Sequence, residues 1–317
     1  MSAARSESSS DPREIVTTRY FDAPRELVFG VFTDAQNASK WWGPRGFTTS
    51  THAHELRVGG EWRFTMHGPD GKDWPNVIAY HEIVRPERLV YSHGDFEKVH
   101  FEVTVSFETE GKGTRITMRS RFPSAEACEA VKKFGAVEGG HQTLDRLTEE
   151  LARGAKKGAF VIARTLAAPR ELVFRCWTQA EHLAHWWGPK GMQLSVLKLE
   201  LRPGGTFHYA MKAPGGFEMF GKFVYREIRA PERLEYIVSF ADAQGGMVRH
   251  PMAAGWPLEM LNTVTFRECA GRTTLLLVCE PYQASAEECR TFEANFESME
   301  KGFGGTFEQL LAHLAEV

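Results

Sequence analysis

The sequence lacks the features that mark disulfide-rich, zinc-knuckle and membrane-spanning proteins. Its 317 residues include only five cysteines, and no two of them form a Cys-x-x-Cys pair. An odd number of cysteines without such pairs argues against a disulfide framework and against a zinc knuckle. No apolar run approaches the roughly 20 residues of a membrane-spanning helix. Membrane insertion is therefore not expected.

A basic excess is missing too. Lys and Arg total 38 against 41 Asp and Glu, which gives a formal net charge of −3. Proteins that bind nucleic acid usually carry a basic patch or stripe, so no nucleic-acid partner is expected. Residues 1–12 are rich in serine and have no apolar core, which predicts a disordered tail and not a signal peptide. A cytoplasmic location follows as an expectation.

The motifs of common enzyme classes are absent as well. The sequence has no Ser-His-Asp order, no Gly-x-Ser-x-Gly elbow, no phosphate loop and no dinucleotide fingerprint, so no cofactor is expected. Two histidine pairs, His52 with His54 and His182 with His185, each share one face of an element. No carboxylate or cysteine stands at ligand spacing beside them along the chain, so no metal site is predicted.

What the sequence does contain is a duplication. Trp-Trp-Gly-Pro at residues 41–44 returns at 186–189, and Ala-Pro-Arg-Glu-Leu-Val-Phe at 23–29 returns at 168–174 with the same spacing. A Gly-Gly pair and Pro-Glu-Arg-Leu recur in the same register. A repeat this long indicates two complete domains and not a stacking unit. We predict domains at residues 13–153 and 159–317, joined by a linker at 154–158.

Each copy has the pattern of an α+β domain. Residues 14–21 mix β-branched and aromatic side chains and predict a strand. Two short helices follow, with Pro24 in the first turn of one and Gly-Pro at 43–44 ending the other. From residue 47 to 122 apolar and polar residues alternate, which predicts a six-stranded antiparallel meander with a hairpin at Gly-Gly 59–60.

A long helix closes each copy, at residues 124–151 and 285–314. Glycines at 139–140 and within 302–305 lie in the middle of these helices, where each costs roughly 1 kcal/mol relative to alanine. A kink or a close backbone approach is therefore predicted there. The copies differ mainly at residues 241–257, where the second copy inserts a loop, and we expect the second domain to carry the more specialised site.

These motifs resemble those of the START-like (SRPBCC, Bet v-like) superfamily, and within it the family of homologues of the activator of heat-shock-protein-90 ATPase. The resemblance implies two tandem helix-grip domains, each a curved antiparallel sheet around a long C-terminal helix with an apolar cavity between them. The family's usual Gly-Trp in the last helix is missing. Gly-Gly at 139–140 and Gly-Phe at 302–303 stand in its place.

Large apolar side chains and one histidine are the candidates for lining such a cavity. Any one of the aromatic residues can instead be plain core. Of each Trp-Trp pair, we expect one ring to anchor the core and the other to face the cavity. The candidates are Trp42, Trp62, Phe64, Met66, Tyr80, Phe134 and His141 in the first copy, and Trp187, Phe207, Tyr209, Met211, Tyr225, Phe292, Phe296 and Phe303 in the second.

Three functions are compatible with this reading. The first is non-catalytic binding of a hydrophobic small molecule, supported by an apolar inner face without reactive groups. The second is a co-chaperone-like or other protein-interaction role, with a chaperone as a possible partner and an exposed apolar patch as its mark. The third is a cyclase- or aromatase-like enzyme in which His141 and a tyrosine of the pocket act as acid and base.

Overall fold

The computed structural model of the chain describes residues 9–317, which divide into two compact units. The first domain comprises the chain up to Leu151 together with residues 269–271, and the second comprises residues 152–268 and 272–317. Residues 1–8 of the expected tail lie outside the described residues. Residues 11–14 form a turn in which the Asp11 carboxylate accepts hydrogen bonds from Arg13, so ordered structure begins before residue 13.

The first domain is one seven-stranded antiparallel sheet with four helices. The sheet order is β1-β7-β6-β5-β4-β3-β2, a meander closed by the first strand. The elements are β1 (Glu14–Phe21), α1 (Arg25–Thr33), α2 (Ala35–Trp41), β2 (Thr48–His54), β3 (Glu61–His67), β4 (Asp73–Val84), β5 (Arg88–Gly94), β6 (Val99–Glu110), β7 (Gly113–Arg121), α3 (Ala125–Lys133) and α4 (Ala136–Ala155).

The second domain repeats this order and adds one short strand, β13, in the inserted loop. Its main path is β8-β15-β14-β12-β11-β10-β9, with β13 paired to β12. The elements are β8 (Phe160–Leu166), α5 (Arg170–Thr178), α6 (Ala180–Trp186), β9 (Gln193–Leu199), β10 (Thr206–Lys212), β11 (Glu218–Arg229), β12 (Arg233–Ala241), β13 (Met247–Val248), β14 (Glu259–Cys269), β15 (Arg272–Tyr282), α7 (Ala286–Ala294) and α8 (Phe296–Leu314).

The repeated Trp-Trp-Gly-Pro ends the second short helix of each domain. Gly43 has φ +103° and Gly188 has φ +116°, a backbone region that glycine enters without steric cost. The first tryptophan of each pair anchors the core through its indole N–H: Trp41 donates to the Val31 carbonyl and Trp186 to the equivalent carbonyl. This explains why the motif returns unchanged in both copies.

The prediction of one long closing helix is wrong in its details. In the first domain the break lies at Gly135, which has φ +83° and separates α3 from α4. In the second it lies at Asn295, between α7 and α8. The glycines at 139–140 continue the helix without a break, and a Cβ on Gly140 would lie 3.7 Å from the Thr17 hydroxyl. Gly140 thus marks the close passage of α4 over β1.

Each domain has its own hydrophobic core between the concave sheet face and the closing helices. Alternation along β3 buries Trp62 and Phe64, and along β10 it buries Phe207 and Tyr209. Aromatic rings therefore line the inner face of both sheets. None of the helices within residues 9–317 combines the length and apolar character that crossing a bilayer requires.

Candidate functional site

The second domain contains a cavity of about 160 Å³ between its sheet and α8. Strands β10, β11, β12 and β14 form its floor, α8 covers it, and the end of the inserted loop closes one side. Most of the wall is apolar. The lining residues are Trp187, Tyr209, Met211, Met219, Phe220, Gly221, Val238, Ser239, Phe240, Trp256, Pro257, Leu258, Met260, Asn262, Cys279, Met299 and Phe303.

The inserted loop contributes Trp256 to this wall and is held in place by side-chain contacts. His250 packs edge-on against Phe240 with ring centroids 4.4 Å apart, and Trp256 lies 5.5 Å from Phe292 of α7. Arg249 forms an ion pair with Glu288, the residue that completes the capping box of α7. These contacts hold the inserted loop in a defined position as part of the cavity wall.

Two buried polar atoms of the cavity wall make no hydrogen bond within residues 9–317. They are Oδ1 of Asn262, whose residue is 3% exposed, and Nε1 of Trp256. The Asn262 side chain adjoins Tyr236 across the strands. Burial raises the pKa of Tyr236 well above its usual value, and hydrogen bonding with the Asn262 side chain offsets part of the rise. An unpaired buried acceptor or donor costs about 1–3 kcal/mol, so both atoms favour a ligand that offers a complementary group.

Tyr209 and Gly221 set the shape of the floor. They pair across β10 and β11, and the Tyr209 phenol lies so close to Gly221 that a Cβ there would overlap its hydroxyl. Burial raises the pKa of Tyr209 to about 12, with the Trp187 side chain offsetting part of the rise. The phenol is therefore neutral at physiological pH and serves as a hydrogen-bonding group.

The first domain fills the equivalent space. Asn76 stands where Gly221 stands in the second domain, and His93 stands where Val238 does. The His93 ring bonds to the Asn76 side chain at 2.9 Å and packs on Phe101, with centroids 4.9 Å apart. Phe101, replaced by methionine in the second domain, packs in turn on Phe122 at 4.9 Å.

A small void lies at another place in the first domain. It measures about 10 Å³ and lies near α1, bordered among others by Trp42, Trp62 and Tyr80. An open surface groove of about 600 Å³ runs along the outer face of α3. This groove does not lie between the sheet and the long helix. Of the two interior spaces, the one in the second domain is the larger.

The structure brings four of the second-copy candidates to the cavity wall: Trp187, Tyr209, Met211 and Phe303. The other four lie outside the wall. Phe207, Tyr225 and Phe292 are at most 2% exposed within the core, and Phe296 packs between Phe160 and Phe292. Of the Trp186–Trp187 pair, the second ring faces the cavity.

The first-copy candidates do not converge on a comparable space. Phe64 is fully buried and Met66 packs against the core. His141 is 1% exposed on α4 and borders neither interior space; its backbone carbonyl accepts a hydrogen bond from Arg19. Phe134 is wrong as a cavity residue, because it is 93% exposed at the break between α3 and α4.

The sequence-based candidates miss Gly221, Val238, Met260, Asn262 and Trp256. The first three are small or flexible residues that stand where the first copy has Asn76, His93 and Phe101. An aligned comparison of the two copies therefore carries the missing signal: the cavity lies where one copy is bulky and the other is not. Trp256 belongs to the insertion and has no counterpart.

A family model described as "Activator of Hsp90 ATPase homolog 1-like protein" matches residues 22–152 and again residues 167–315. The two matches cover most of the chain. The chain belongs to this family. As a member of the Activator of Hsp90 ATPase homolog 1-like family it carries two tandem START-like domains. No functionally curated relative matches the sequence.

Solved structures with similarity to the chain include single-domain and two-domain proteins. Ms6760 from Mycobacterium smegmatis is 25% identical over 43% of this chain and 89% of its own, with a TM-score of 0.40. A protein from Arthrobacter aurescens is 25% identical over 46% and 90%, with a TM-score of 0.43. The di-domain ARO/CYC BexL from the BE-7585A biosynthetic pathway is 13% identical over 95% and 98%, with a TM-score of 0.40.

Proposed function

We propose that the second domain binds a compact, largely apolar small molecule in the cavity between its sheet and α8. The observation that carries the proposal is the contrast between the copies. At Val238 the second domain has a smaller side chain than His93, which bonds to Asn76 and fills the first domain, while the Tyr209 phenol occupies the space beside Gly221. Cavities are destabilising, so an apolar one of this size supports a binding role.

The size and polarity of the cavity define the class of ligand. An apolar cavity of about 150 Å³ holds one benzene-sized ring in other proteins, and this one measures about 160 Å³. Asn262 offers a buried acceptor and Trp256 a buried donor. A single ring with a hydroxyl or amino group that donates to Asn262 is the class of ligand we infer. Each hydrogen bond formed adds about 0.5–1.5 kcal/mol to affinity.

Calorimetric titration of the full chain with phenol and with benzene tests the proposal. We expect one binding site, with phenol preferred over benzene several-fold because only phenol can bond to Asn262. The matched control is the triple variant Tyr209→Phe, Gly221→Asn and Val238→His. It introduces the residues that fill the equivalent space in the first domain. It should keep its fold and lose binding.

A reciprocal variant separates this cavity from adventitious binding. Asn76→Gly with His93→Val copies the open pair into the first domain and should leave the phenol affinity of the second site unchanged. Equal binding by the wild type and the triple variant, or no binding of either compound, would contradict the proposal. Bound ligand should also raise the melting temperature with concentration in the wild type alone.

A protein-interaction role is the second candidate, favoured by one observation. Phe134 is 93% exposed and borders the open groove along α3, together with Ala125 and Ala130. Purified Hsp90-type chaperone supplies the test through its ATPase rate. Stimulation by the full chain that Phe134→Ser removes would support this role, and an unchanged ATPase rate would count against it.

A further inference from the structure

Three potential metal ligands meet in the second domain, outside the cavity. They are Cys176 on α5, His182 on α6 and His313 in the last turn of α8, and their ligating atoms all lie within 4.8 Å of one another. Nδ1 of His182 and Nε2 of His313 are 2.8 Å apart. Cys176 is fully buried and His313 is 7% exposed. His182 is half-buried and gives access from solvent.

A fourth imidazole stands beside this cluster. His185, one turn after His182 on α6, stacks on His313 with ring centroids 5.1 Å apart and an interplanar angle of 12°. It is exposed to solvent. Cys176 lies on the helix before the His182–His185 pair, and His313 lies 131 residues after His182 along the chain. Spacing within one element therefore gave no metal site.

The first domain shows what these positions hold when no cluster is present. The residues equivalent to Cys176, His182, His185 and His313 are Val31, Asn37, Lys40 and Glu150. Lys40 and Glu150 form an ordinary surface ion pair at 3.3 Å. The equivalent helices of the first domain, α1, α2 and α4, thus pack with an aliphatic residue, an amide and an ion pair. The thiol and three imidazoles are not required by the fold.

We infer that Cys176, His182 and His313 bind a zinc-class divalent ion. One thiolate and two imidazoles match the soft and borderline ligands that Zn²⁺ takes in tetrahedral sites, with bonds of about 2.0–2.3 Å. Such bonds place two nitrogens about 3.3 Å apart, so the His182 and His313 atoms need to separate only slightly from 2.8 Å. The fourth position faces the solvent beside His185.

Binding would exchange one set of contacts for another. The Cys176 thiol releases its proton to solvent, and the His182–His313 hydrogen bond gives way to two metal–nitrogen bonds. Both imidazoles stay neutral. The one that donates the His182–His313 hydrogen bond moves its proton through solvent from the ligating nitrogen to its other ring nitrogen, and the accepting one already carries its proton on the non-ligating nitrogen. The ion would join α5, α6 and the end of α8, so it would hold down the C-terminal turn of the helix that covers the cavity.

Titration of the metal-free full chain with Co²⁺, followed by Zn²⁺ in competition, tests the inference. We expect one Co²⁺ per chain, a sulfur-to-cobalt charge-transfer band, and displacement of both signals by one equivalent of Zn²⁺. Cys176→Val, which installs the first domain's own residue, should abolish the charge-transfer band. His182→Asn, likewise taken from the first domain, should weaken Zn²⁺ binding at least tenfold.

Controls keep the result decisive. Cys289→Ser removes a cysteine of α7 outside the cluster and should leave the band and the affinity unchanged. If Cys176→Val does not fold, the partly exposed His182→Asn variant decides the question through its affinity. The inference is overturned if the wild type shows no charge-transfer band, if Cys176→Val retains it, if His182→Asn binds as tightly as wild type, or if Cys289→Ser loses the band.

Discussion

The phenol of Tyr209 packs directly on the backbone of Gly221, and a single added methyl group at Gly221 would overlap it. We therefore expect Gly221→Ala to destabilise the second domain by about 1–3 kcal/mol, the usual cost of overpacking. Urea denaturation measures this change. Adding Tyr209→Phe should recover about half of it, because a phenylalanine can shift as Phe64 does, stacked 4.2 Å from Trp62. Strictly additive effects would contradict the steric account.

The buried ion pair between Arg19 and Asp145 makes a second prediction. Their side chains are 2% and 3% exposed, and Nη1 of Arg19 lies 2.7 Å from Asp145. Asp145→Ala leaves a buried guanidinium without its counter-charge and should cost about 3–5 kcal/mol. The exposed pair Arg57–Glu55 is the control, since Glu55→Gln should change the free energy of unfolding by less than about 1 kcal/mol. Similar losses for both variants would contradict the argument.

His93 should make the first domain less stable in acid. Burial, with a smaller contribution from His100, lowers the pKa of His93 to about 4. Between pH 6.5 and 4 the unfolded chain binds this proton and the folded one does not, so stability is full above pH 6.5 and falls as the pH drops. We expect about 3 kcal/mol of this loss to disappear in His93→Gln. Parallel pH profiles for wild type and variant, measured by urea denaturation, would show that another group is responsible.

Phe134 and Phe292 should respond very differently to truncation. Phe134 is 93% exposed, and Phe134→Ala should change the free energy of unfolding by less than about 0.5 kcal/mol. Phe292 is fully buried against Trp256 and Phe296, and Phe292→Ala should cost about 3–5 kcal/mol. The same denaturation series measures both variants. A large loss from Phe134→Ala would mean that its ring packs in solution.

The architecture could be predicted from the sequence because local motifs determine where its helices end and which strand face is buried. Trp-Trp-Gly-Pro ends a helix in either copy, and the alternation of large apolar residues along the strands identifies the core face. The helix-grip fold of both domains is confirmed. Phe134 shows the limit of the same reasoning. Helical spacing placed it on a continuous apolar face, but Gly135 takes a left-handed conformation and turns the chain before α4 begins.

The cavity and the metal cluster depend on residues that only the tertiary structure brings together. Gly221 carries no apolar signal, and Asn262 looks like an ordinary polar strand residue. His313 joins Cys176 only because the end of α8 packs against α6. Spacing along one element could not show these contacts. The differences between the two copies at aligned positions come nearest to predicting them.

The cavity in the second domain lowers stability, so selection for stability acts against it while selection for ligand binding would preserve it. An empty space of about 160 Å³ corresponds to a penalty of about 4 kcal/mol by the cost of cavities in protein cores. A bulkier side chain at Val238, where the first domain has His93, would recover part of that energy, whereas Gly221 has no room for a side chain while Tyr209 is present. If the cavity binds a ligand as proposed, a lineage without that ligand is expected to drift toward a filled second domain. Persistence of the cavity among descendants of this duplication would record continued use.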